Sequence, residues 1–127
     1  MMTISFPVEQ QPNQILVVVA GETSMQEMMQ FITENRAGDK REHAFLFDVS
    51  AATVSLTAEE MQRLAAYAAA EARKGPVGPL AFISTNPGVF GMSRMFQAYS
   101  DAEGRRNVGV FRTLADAQTW VASLKKP

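Results

Sequence analysis

The stretch from Ala44 to Ser50, Ala-Phe-Leu-Phe-Asp-Val-Ser, constrains the fold of this chain more than any other. Four consecutive apolar residues that end in an acid are typical of a central parallel strand covered on both faces. The polar residues after Ser50 predict a turn, and a helix start follows by Glu60. Since the carboxyl end of such a strand opens at the rim of the sheet, we expect Asp48 to lie at that rim.

The length and composition of the chain suit one globular domain over residues 1–127. A chain of 127 residues with 46% hydrophobic and 20% charged residues can bury a core without disulfides, and this one has no cysteine. Its formal charge of -1 gives no field that attracts nucleic acid. No basic, apolar leader opens the sequence, and no apolar run approaches the roughly 20 residues that span a bilayer. We therefore expect a cytoplasmic protein with no nucleic-acid-binding or integral-membrane function.

Apolar runs predict five strands. Pro7 confines the first strand to a sheet edge, because proline cannot donate a ladder hydrogen bond, and a hairpin turn is expected at Gln11–Asn13. The β-branched run that follows is typical of a strand buried on both faces, and Gly21 is expected to end it. The predicted strands are Thr3–Val8, Ile15–Ala20, Ala44–Ser50, Leu80–Ser84 and Asn107–Arg112.

Helix signals separate these strands. Ser24 and Thr57 each precede a glutamate by three residues, which is the spacing of a capping box. A third helix is expected to begin near Pro87, and Thr113 is expected to cap a fourth. The first three helices are expected to end at Arg36–Asp39, Gly75–Pro79 and Asp101–Gly104. The residues at helical spacing that should face the core are Met25, Met28, Met29, Ile32, Met61, Leu64, Ala65, Ala68, Ala72, Met92, Met95, Phe96, Tyr99, Ala117, Trp120, Val121 and Leu124.

The order of elements is therefore ββαβαβαβα in a single domain. Right-handed crossovers make the strands after the first hairpin parallel and place helices on the faces of the sheet. The expected fold class is α/β, with a mixed, mostly parallel five-stranded sheet and four helices.

Five short motifs follow one another along nearly the whole chain. They are Val19-Ala20-Gly21, Phe47-Asp48-Val49-Ser50, Ala81-Phe82-Ile83, Phe90-Gly91-Met92-Ser93-Arg94-Met95-Phe96 and Val110-Phe111-Arg112-Thr113 before a tryptophan helix. Together with the order of elements, they resemble the STAS domain of bacterial anti-sigma-factor antagonists. The likeness is greater to the SpoIIAA-like family of small bacterial proteins, which is grouped with lipid-binding Sec14-type domains. The resemblance implies a STAS-like fold.

The candidate site is the polar rim at the carboxyl ends of the parallel strands, where ligands bind in open sheets of this kind. Asp48 either caps the following turn, pairs with an arginine, or binds a ligand. The loop from Ser84 to Arg94 offers glycines, hydroxyls and an arginine that suit an anion, although tight-turn geometry also explains it, and it is not a P-loop. The candidate ligand- or partner-binding residues are Asp48, Ser50, Ser84, Thr85, Asn86, Arg94 and Arg112.

Thr57 is the remaining candidate for a phosphorylation switch. In the antagonists that the chain resembles, a serine in an Asp-Ser-Ser-Gly sequence at this point is phosphorylated by a partner kinase. Here only the hydroxyl of Thr57 is available, beside Glu59 and Glu60, whose charges would repel a phosphate. A plain helix cap is the favoured explanation of Thr57.

His43 and four basic pairs are expected at the opposite end of the sheet. His43, the only histidine, precedes the central strand, so neither a catalytic triad nor a histidine metal site is expected. The basic pairs Lys40-Arg41, Arg73-Lys74, Arg105-Arg106 and Lys125-Lys126 gather at the amino ends of the strands. They either compensate helix dipoles and aid solubility, or form a docking face for an acidic partner or a membrane surface.

Two functions stay open. The resemblance to the antagonists implies a non-catalytic interaction or regulatory module that contacts a protein partner through the rim. The Sec14-type grouping, and the apolar residues of the third helix, favour a domain that binds a lipid or another small apolar or anionic ligand. No pair of side chains suits catalysis, so we expect no enzyme, cofactor or metal. A homodimer is left open by the edge strand and the methionine-rich helices.

Overall fold

The computed structural model describes residues 2–5, 14–35 and 42–124. Within these ranges the chain forms the predicted order of elements. The strands are Met2–Ser5 (β1), Gln14–Thr23 (β2), Ala44–Val54 (β3), Leu80–Ile83 (β4) and Val108–Phe111 (β5), and the helices are Met25–Asn35 (α1), Ala58–Ala72 (α2), Pro87–Ala102 (α3) and Leu114–Leu124 (α4). The predicted strand residues 6–8, hairpin turn at 11–13 and helix end at 36–39 lie outside the described residues.

The five strands form one sheet whose spatial order, β1-β2-β3-β4-β5, follows the sequence. β1 pairs antiparallel with β2, and every later pairing is parallel. β3 therefore lies at the centre, as the run from Ala44 predicts. The α/β fold class and the mixed, mostly parallel sheet are confirmed.

β2 and β3 are both longer than predicted. Gly21 has a φ of 83° but stays within β2, so the expectation that it ends the strand is wrong. The pairing with β3 shifts register between Val18 and Ala20. β3 continues to Val54 instead of turning after Ser50, because it remains paired with β2 as far as Thr23. The turn predicted immediately after Ser50 is therefore wrong. Thr53 and Val54 are β-branched and favour a strand, and pairing with β2 keeps Ala51 and Ala52 in the same strand.

Helices α1, α2 and α3 cover one face of the sheet. Alternation along the strands directs Phe45, Phe47 and Phe82 to this face. The ring of Phe31 from α1 lies edge-on to Phe47 at 5.2 Å, and Phe47 stacks on Phe82 at 5.7 Å. Phe82 then meets Phe96 of α3 edge-on at 5.4 Å. A continuous aromatic row therefore crosses the sheet beneath the three helices.

Helix α4 covers the other face alone, where the strands present smaller side chains. The buried cluster beneath it consists of Ala44, Leu46, Ala81, Ile83, Ala117 and Val121. Gly109 allows the close approach, since a Cβ there would lie 2.6 Å from Cε2 of Phe111 and 3.1 Å from Cζ3 of Trp120. Trp120 is half-buried against Phe111, whereas Leu124 is 46% exposed. The expectation that Leu124 is a core residue is wrong, because the cluster ends at Val121.

The predicted helix starts are confirmed by their hydrogen bonds. The amide of Glu60 donates to Oγ1 of Thr57 at 3.1 Å, and the amide of Thr57 donates to Oε1 of Glu60 at 3.0 Å. These two bonds form a complete capping box. At α1 the amide of Glu27 donates to Oγ of Ser24 at 3.2 Å. The hydroxyl of Thr57 is therefore engaged as a helix cap.

Candidate functional site

Three of the predicted rim residues, Asp48, Ser50 and Thr85, lie close to the carboxyl end of β4. The amide of Thr85 donates to Oγ of Ser50 at 3.1 Å, which joins the loop after β4 to the neighbouring strand. The amide of Ser50 donates to Oδ1 of Asp48 at 3.1 Å. Asp48 is half-buried and lies in register with Ile83, the last residue of β4. Asp48 is therefore level with the end of β4, whereas its own strand continues beyond it to Val54.

The loop that leads into α3 satisfies its own polar groups. Ser84 is fully buried, and its Oγ accepts from the amide of Asn86 at 3.0 Å and donates to the carbonyl of the same residue at 3.1 Å. Oδ1 of Asn86 accepts from the amides of Gly88 and Val89 at 2.9 and 3.3 Å. Because the asparagine side chain occupies the first amides of the helix, the turn explanation of this loop is favoured over an anion site.

The two arginines of the predicted site are exposed at the surface. The guanidinium of Arg112 lies 4.2 Å from the ring centroid of Phe90, which is a cation–π contact. Arg94 projects from the second turn of α3. In the part of the chain that the structure describes, no hydrogen bond or salt bridge connects either arginine with Asp48 or Ser50. The rim thus combines a compact hydroxyl and carboxylate group with two separate surface cations.

A second candidate site is a cavity of about 120 Å³ between the sheet and helices α1, α2 and α3. Its wall includes Met92 and Phe96, two of the third-helix residues that favoured a ligand-binding domain. Its wall is almost entirely apolar and includes the aromatic row, together with methionines 28, 61 and 92. The polar residues in the wall are Thr23, Glu71, Ser93 and Arg105. The cavity extends from Thr23, at the carboxyl end of β2, to Leu80, at the amino end of β4.

The cavity lies where the backbones of α1 and α2 are further from the strands than the backbone of α3 is. The backbone of α3 approaches β3 and β5 closely, whereas α1 packs mainly beside α2, and α2 mainly between α1 and α3. The phenylalanines on this face keep the helices away from the strands. Ala68 and Ala72 on the inner side of α2 are too small to fill the space that remains.

Arg105 is the most unusual residue of the cavity wall. Its side chain is only 9% exposed, and its Nε donates to Oδ1 of Asn107 at 3.1 Å. Its Nη2 has no hydrogen-bond acceptor among the described residues. Burial lowers the pKa of the Arg105 guanidinium to about 10, so the group remains charged at neutral pH. The cavity therefore has an apolar wall with one incompletely satisfied cation.

The expectation that Arg105 belongs to a solvated basic pair is wrong. Arg106 is exposed as expected, but Arg105 follows Gly104, whose φ of 90° turns the chain at the end of α3. The amide of Arg105 then donates to the carbonyl of Ser100 at 2.9 Å, which fixes this turn. Nothing in the composition of the two adjacent arginines distinguishes them, since the turn alone decides which side chain is buried.

Salt bridges surround the end of the cavity near Arg105. Nζ of Lys74 lies 2.7 Å from Oε2 of Glu71, and the guanidinium of Arg73 lies 3.2 Å from Oε1 of Glu103. Arg73 also donates to the carbonyl of Glu103 at 2.8 Å. These two carboxylates therefore already have cationic partners.

Neither a metal-binding cluster nor a membrane-spanning helix is found among the described residues. Within residues 2–5, 14–35 and 42–124, no three acidic or histidine side chains come together in a way that could hold a metal ion. None of the helices described is both long and apolar enough to cross a bilayer. His43 lies directly before β3, at the end of the sheet opposite the rim. The basic pairs at 40–41 and 125–126 lie outside the described residues.

Comparisons with known proteins support the fold. No family model matches the chain, and no curated protein matches it in sequence. Among solved structures, it is similar to an anti-sigma factor antagonist from Mycobacterium paratuberculosis, with a TM-score of 0.54 and 18% sequence identity. The match covers 96% of this chain and 95% of the other. The protein therefore has the STAS-like fold of such an antagonist. At this identity the likeness establishes the fold alone, and membership of the SpoIIAA-like family stays a prediction.

Proposed function

We propose that this protein is a binding module that holds a small apolar molecule between its sheet and helices α1, α2 and α3. The cavity of about 120 Å³ is the observation that carries the proposal. A single water needs roughly 10–15 Å³, and an apolar protein cavity of about 150 Å³ takes up benzene. Because the wall offers water few hydrogen-bond partners, an apolar ligand is the better occupant.

The residues of the wall are suited to ligands of variable shape. Met28, Met61 and Met92 line the cavity, and methionine side chains adapt to irregular contacts because they are unbranched and flexible. Met28 and Met92 are only half-buried, so their side chains can move without disturbing the packed core. The proposal therefore favours the small-ligand or lipid-binding interpretation of the sequence.

Ligand uptake can be tested with a variant that fills the cavity. We expect small apolar compounds such as benzene or decanol to raise the Tm of the wild type, since a ligand that binds only the folded state stabilises it by about 2.7 kcal/mol at 100 times Kd. Ala68→Leu adds a side chain that occupies the cavity and should abolish this shift. Ala70→Leu makes the same change on the exposed side of α2 and should leave the shift intact.

Two results would contradict the proposal. One is a wild-type Tm that no apolar compound raises. The other is an equal shift in the wild type and in the correctly folded Ala68→Leu variant. Native mass spectrometry of the purified protein provides an independent measurement, because a retained ligand adds mass to the wild type and not to Ala68→Leu.

A second function is proposed on the basis of the rim. The exposed residues Thr85 and Asn86 lie at the start of α3, where the Asn86 side chain caps the helix. Arg112 contacts Phe90 of α3, and the exposed Arg94 lies one turn further along the same helix. The structural neighbour from Mycobacterium paratuberculosis is named as an anti-sigma factor antagonist, which is a regulatory protein. We propose by analogy that the rim of this protein contacts a protein partner and thereby serves a regulatory role.

Site-specific photo-crosslinking in the native cell tests this second function. A crosslinker at Arg94 should capture one defined protein, whereas a crosslinker at Arg63, an exposed position on α2, should not. Arg112→Glu should reduce capture from Arg94, since it reverses a neighbouring charge on the same surface. Identical products from both crosslinker positions would count against a specific partner at the rim.

Phosphorylation of Thr57, which the capping box disfavours, would appear in the same samples as a mass increase on that residue.

A further inference from the structure

The unsatisfied guanidinium of Arg105 indicates which apolar molecule the cavity accepts, an inference that rests on the proposed function. Arg105 is 9% exposed, so its charge is largely removed from water. A guanidinium has five N–H donors, and burying a charge is costly unless it is paired. Only Nε has a described side-chain acceptor, the Oδ1 of Asn107, which is uncharged. Among the described residues, Arg105 therefore has no anion that balances its charge.

The neighbouring acidic residues do not supply that anion. Glu71 lines the same cavity, but its carboxylate is 2.7 Å from the ammonium of Lys74. Glu103 is paired with Arg73 at 3.2 Å. Among the described residues, neither carboxylate forms a salt bridge with Arg105. Of the two charged residues in the described wall, Glu71 and Arg105, only Arg105 then lacks a charged partner.

The rest of the cavity wall indicates that the remainder of the ligand is apolar. Beyond Glu71 and Arg105, the polar residues of the wall already have partners. The hydroxyl of Ser93 donates to the carbonyl of Val89 at 2.9 Å, and that of Thr23 donates to the carbonyl of Thr53 at 3.1 Å. The remainder of the wall is apolar. A matching ligand would carry one anionic group at one end of an apolar body.

We infer that the cavity binds an amphiphilic carboxylic acid, whose chain lies along the aromatic row and whose carboxylate accepts hydrogen bonds from the guanidinium of Arg105. A planar carboxylate matches the fork of guanidinium donors, and charge-assisted hydrogen bonds of this kind are about twice as strong as neutral ones. A purely apolar ligand would fill the cavity but would leave the guanidinium without its anion.

Matched acids and alcohols separate the role of Arg105 from the role of the cavity. Calorimetric titration of the full chain at neutral pH would compare decanoic acid with decanol, which share an apolar chain and differ in the charged group. We expect the wild type to bind the acid about 10- to 100-fold more tightly, as a charge-assisted hydrogen bond to a buried cation provides. Arg105→Met should lose this preference and still bind decanol. Arg106→Met, which removes the exposed neighbouring charge, should behave as the wild type.

The outcomes distinguish the two proposals. Equal affinity of the wild type for the acid and the alcohol would overturn the inference about Arg105 and leave the proposed cavity function in place. Binding of neither compound would overturn both. If Arg105→Met does not fold, the wild type with carboxyl-¹³C decanoic acid gives an independent test. The carboxyl resonance of the bound acid should titrate at a lower pH than that of the free acid, and an unchanged or raised pKa would contradict the inference.

Discussion

The two faces of the sheet are packed in opposite ways, although they share the same strands. On the α4 face, small and medium side chains meet closely, and Gly109 leaves room for Phe111 and Trp120. On the opposite face, three helices cover a row of phenylalanines and leave a cavity of about 120 Å³. The difference shows that one sheet can have a close-packed side that supplies stability and a less densely packed side that is available for binding.

The difference originates in the alternation of side chains along β3 and β4. Ala44 and Leu46 face α4, while Phe45 and Phe47 between them face the three helices. A row of large rings holds α1 and α2 away from the strands, whereas alanines and branched side chains allow α4 to lie close. The position of the cavity is therefore a consequence of side-chain size on one face, and substitutions can test it.

The largest expected effect is the loss of a leucine from the close-packed face. Leu46→Ala should lower the free energy of unfolding by about 3–5 kcal/mol, because the surrounding residues cannot collapse into the space. Leu64→Ala is the matched change at the cavity, where one side of the leucine already lacks close contacts. We expect it to cost about 2–3 kcal/mol. Urea denaturation of both variants measures the difference, and equal losses would show that the two faces are equally packed.

Substitutions that enlarge a side chain should destabilise the close-packed face more than the cavity face. Gly109→Ala places a methyl group against Phe111 and Trp120 and should cost about 1–3 kcal/mol through overpacking. Ala68→Leu adds more volume to the other face but enters the cavity, so the free energy of unfolding should stay within about 1 kcal/mol of the wild type. Thermal and urea unfolding provide the comparison. A loss at Ala68 larger than that at Gly109 would contradict the presence of usable space there.

Local signals predicted much of this fold. The order of elements, the central position of the strand from Ala44 and the caps at Ser24 and Thr57 all follow from patterns within a few residues. Ser50 and Thr85 were also predicted to lie at the same rim, since the carboxyl ends of parallel strands meet there, and they are hydrogen-bonded in the structure. These features depend on neighbours in sequence or on a general rule of sheet topology.

The features that were not predicted depend on contacts between distant segments. The extension of β3 to Val54 requires pairing with β2, and the burial of Arg105 requires the turn at Gly104. The cavity depends on side chains from many elements at once, so no single stretch of sequence signals it. Arg94 and Arg112 do end at the surface near the α3 loop, but the contact of Arg112 with Phe90 could not be read from their spacing.

Hydrogen exchange should show the same contrast in the stability of the helices. Amides of α1 should open at lower free energy than those of α4, because no described side chain of α1 is fully buried, whereas Ala117 and Val121 of α4 are. Decanoic acid at about ten times its Kd should slow exchange in α1 and α2 by about tenfold, which is the stabilisation that such binding provides. Exchange in α4 by local opening should not change. Slower exchange only in α4 would place the ligand on the other face.

The smallest expected effect marks where the close-packed face ends. Leu124 is 46% exposed, so Leu124→Ala should change the free energy of unfolding by less than about 0.5 kcal/mol. Val121, one turn earlier in α4, is fully buried, and Val121→Ala should cost about 1–3 kcal/mol because it removes two methyl groups from the buried cluster. Urea denaturation of the two variants tests this boundary. A large loss from Leu124→Ala would mean that the last turn of α4 is covered in solution, and the close-packed face would then extend beyond the cluster at Val121.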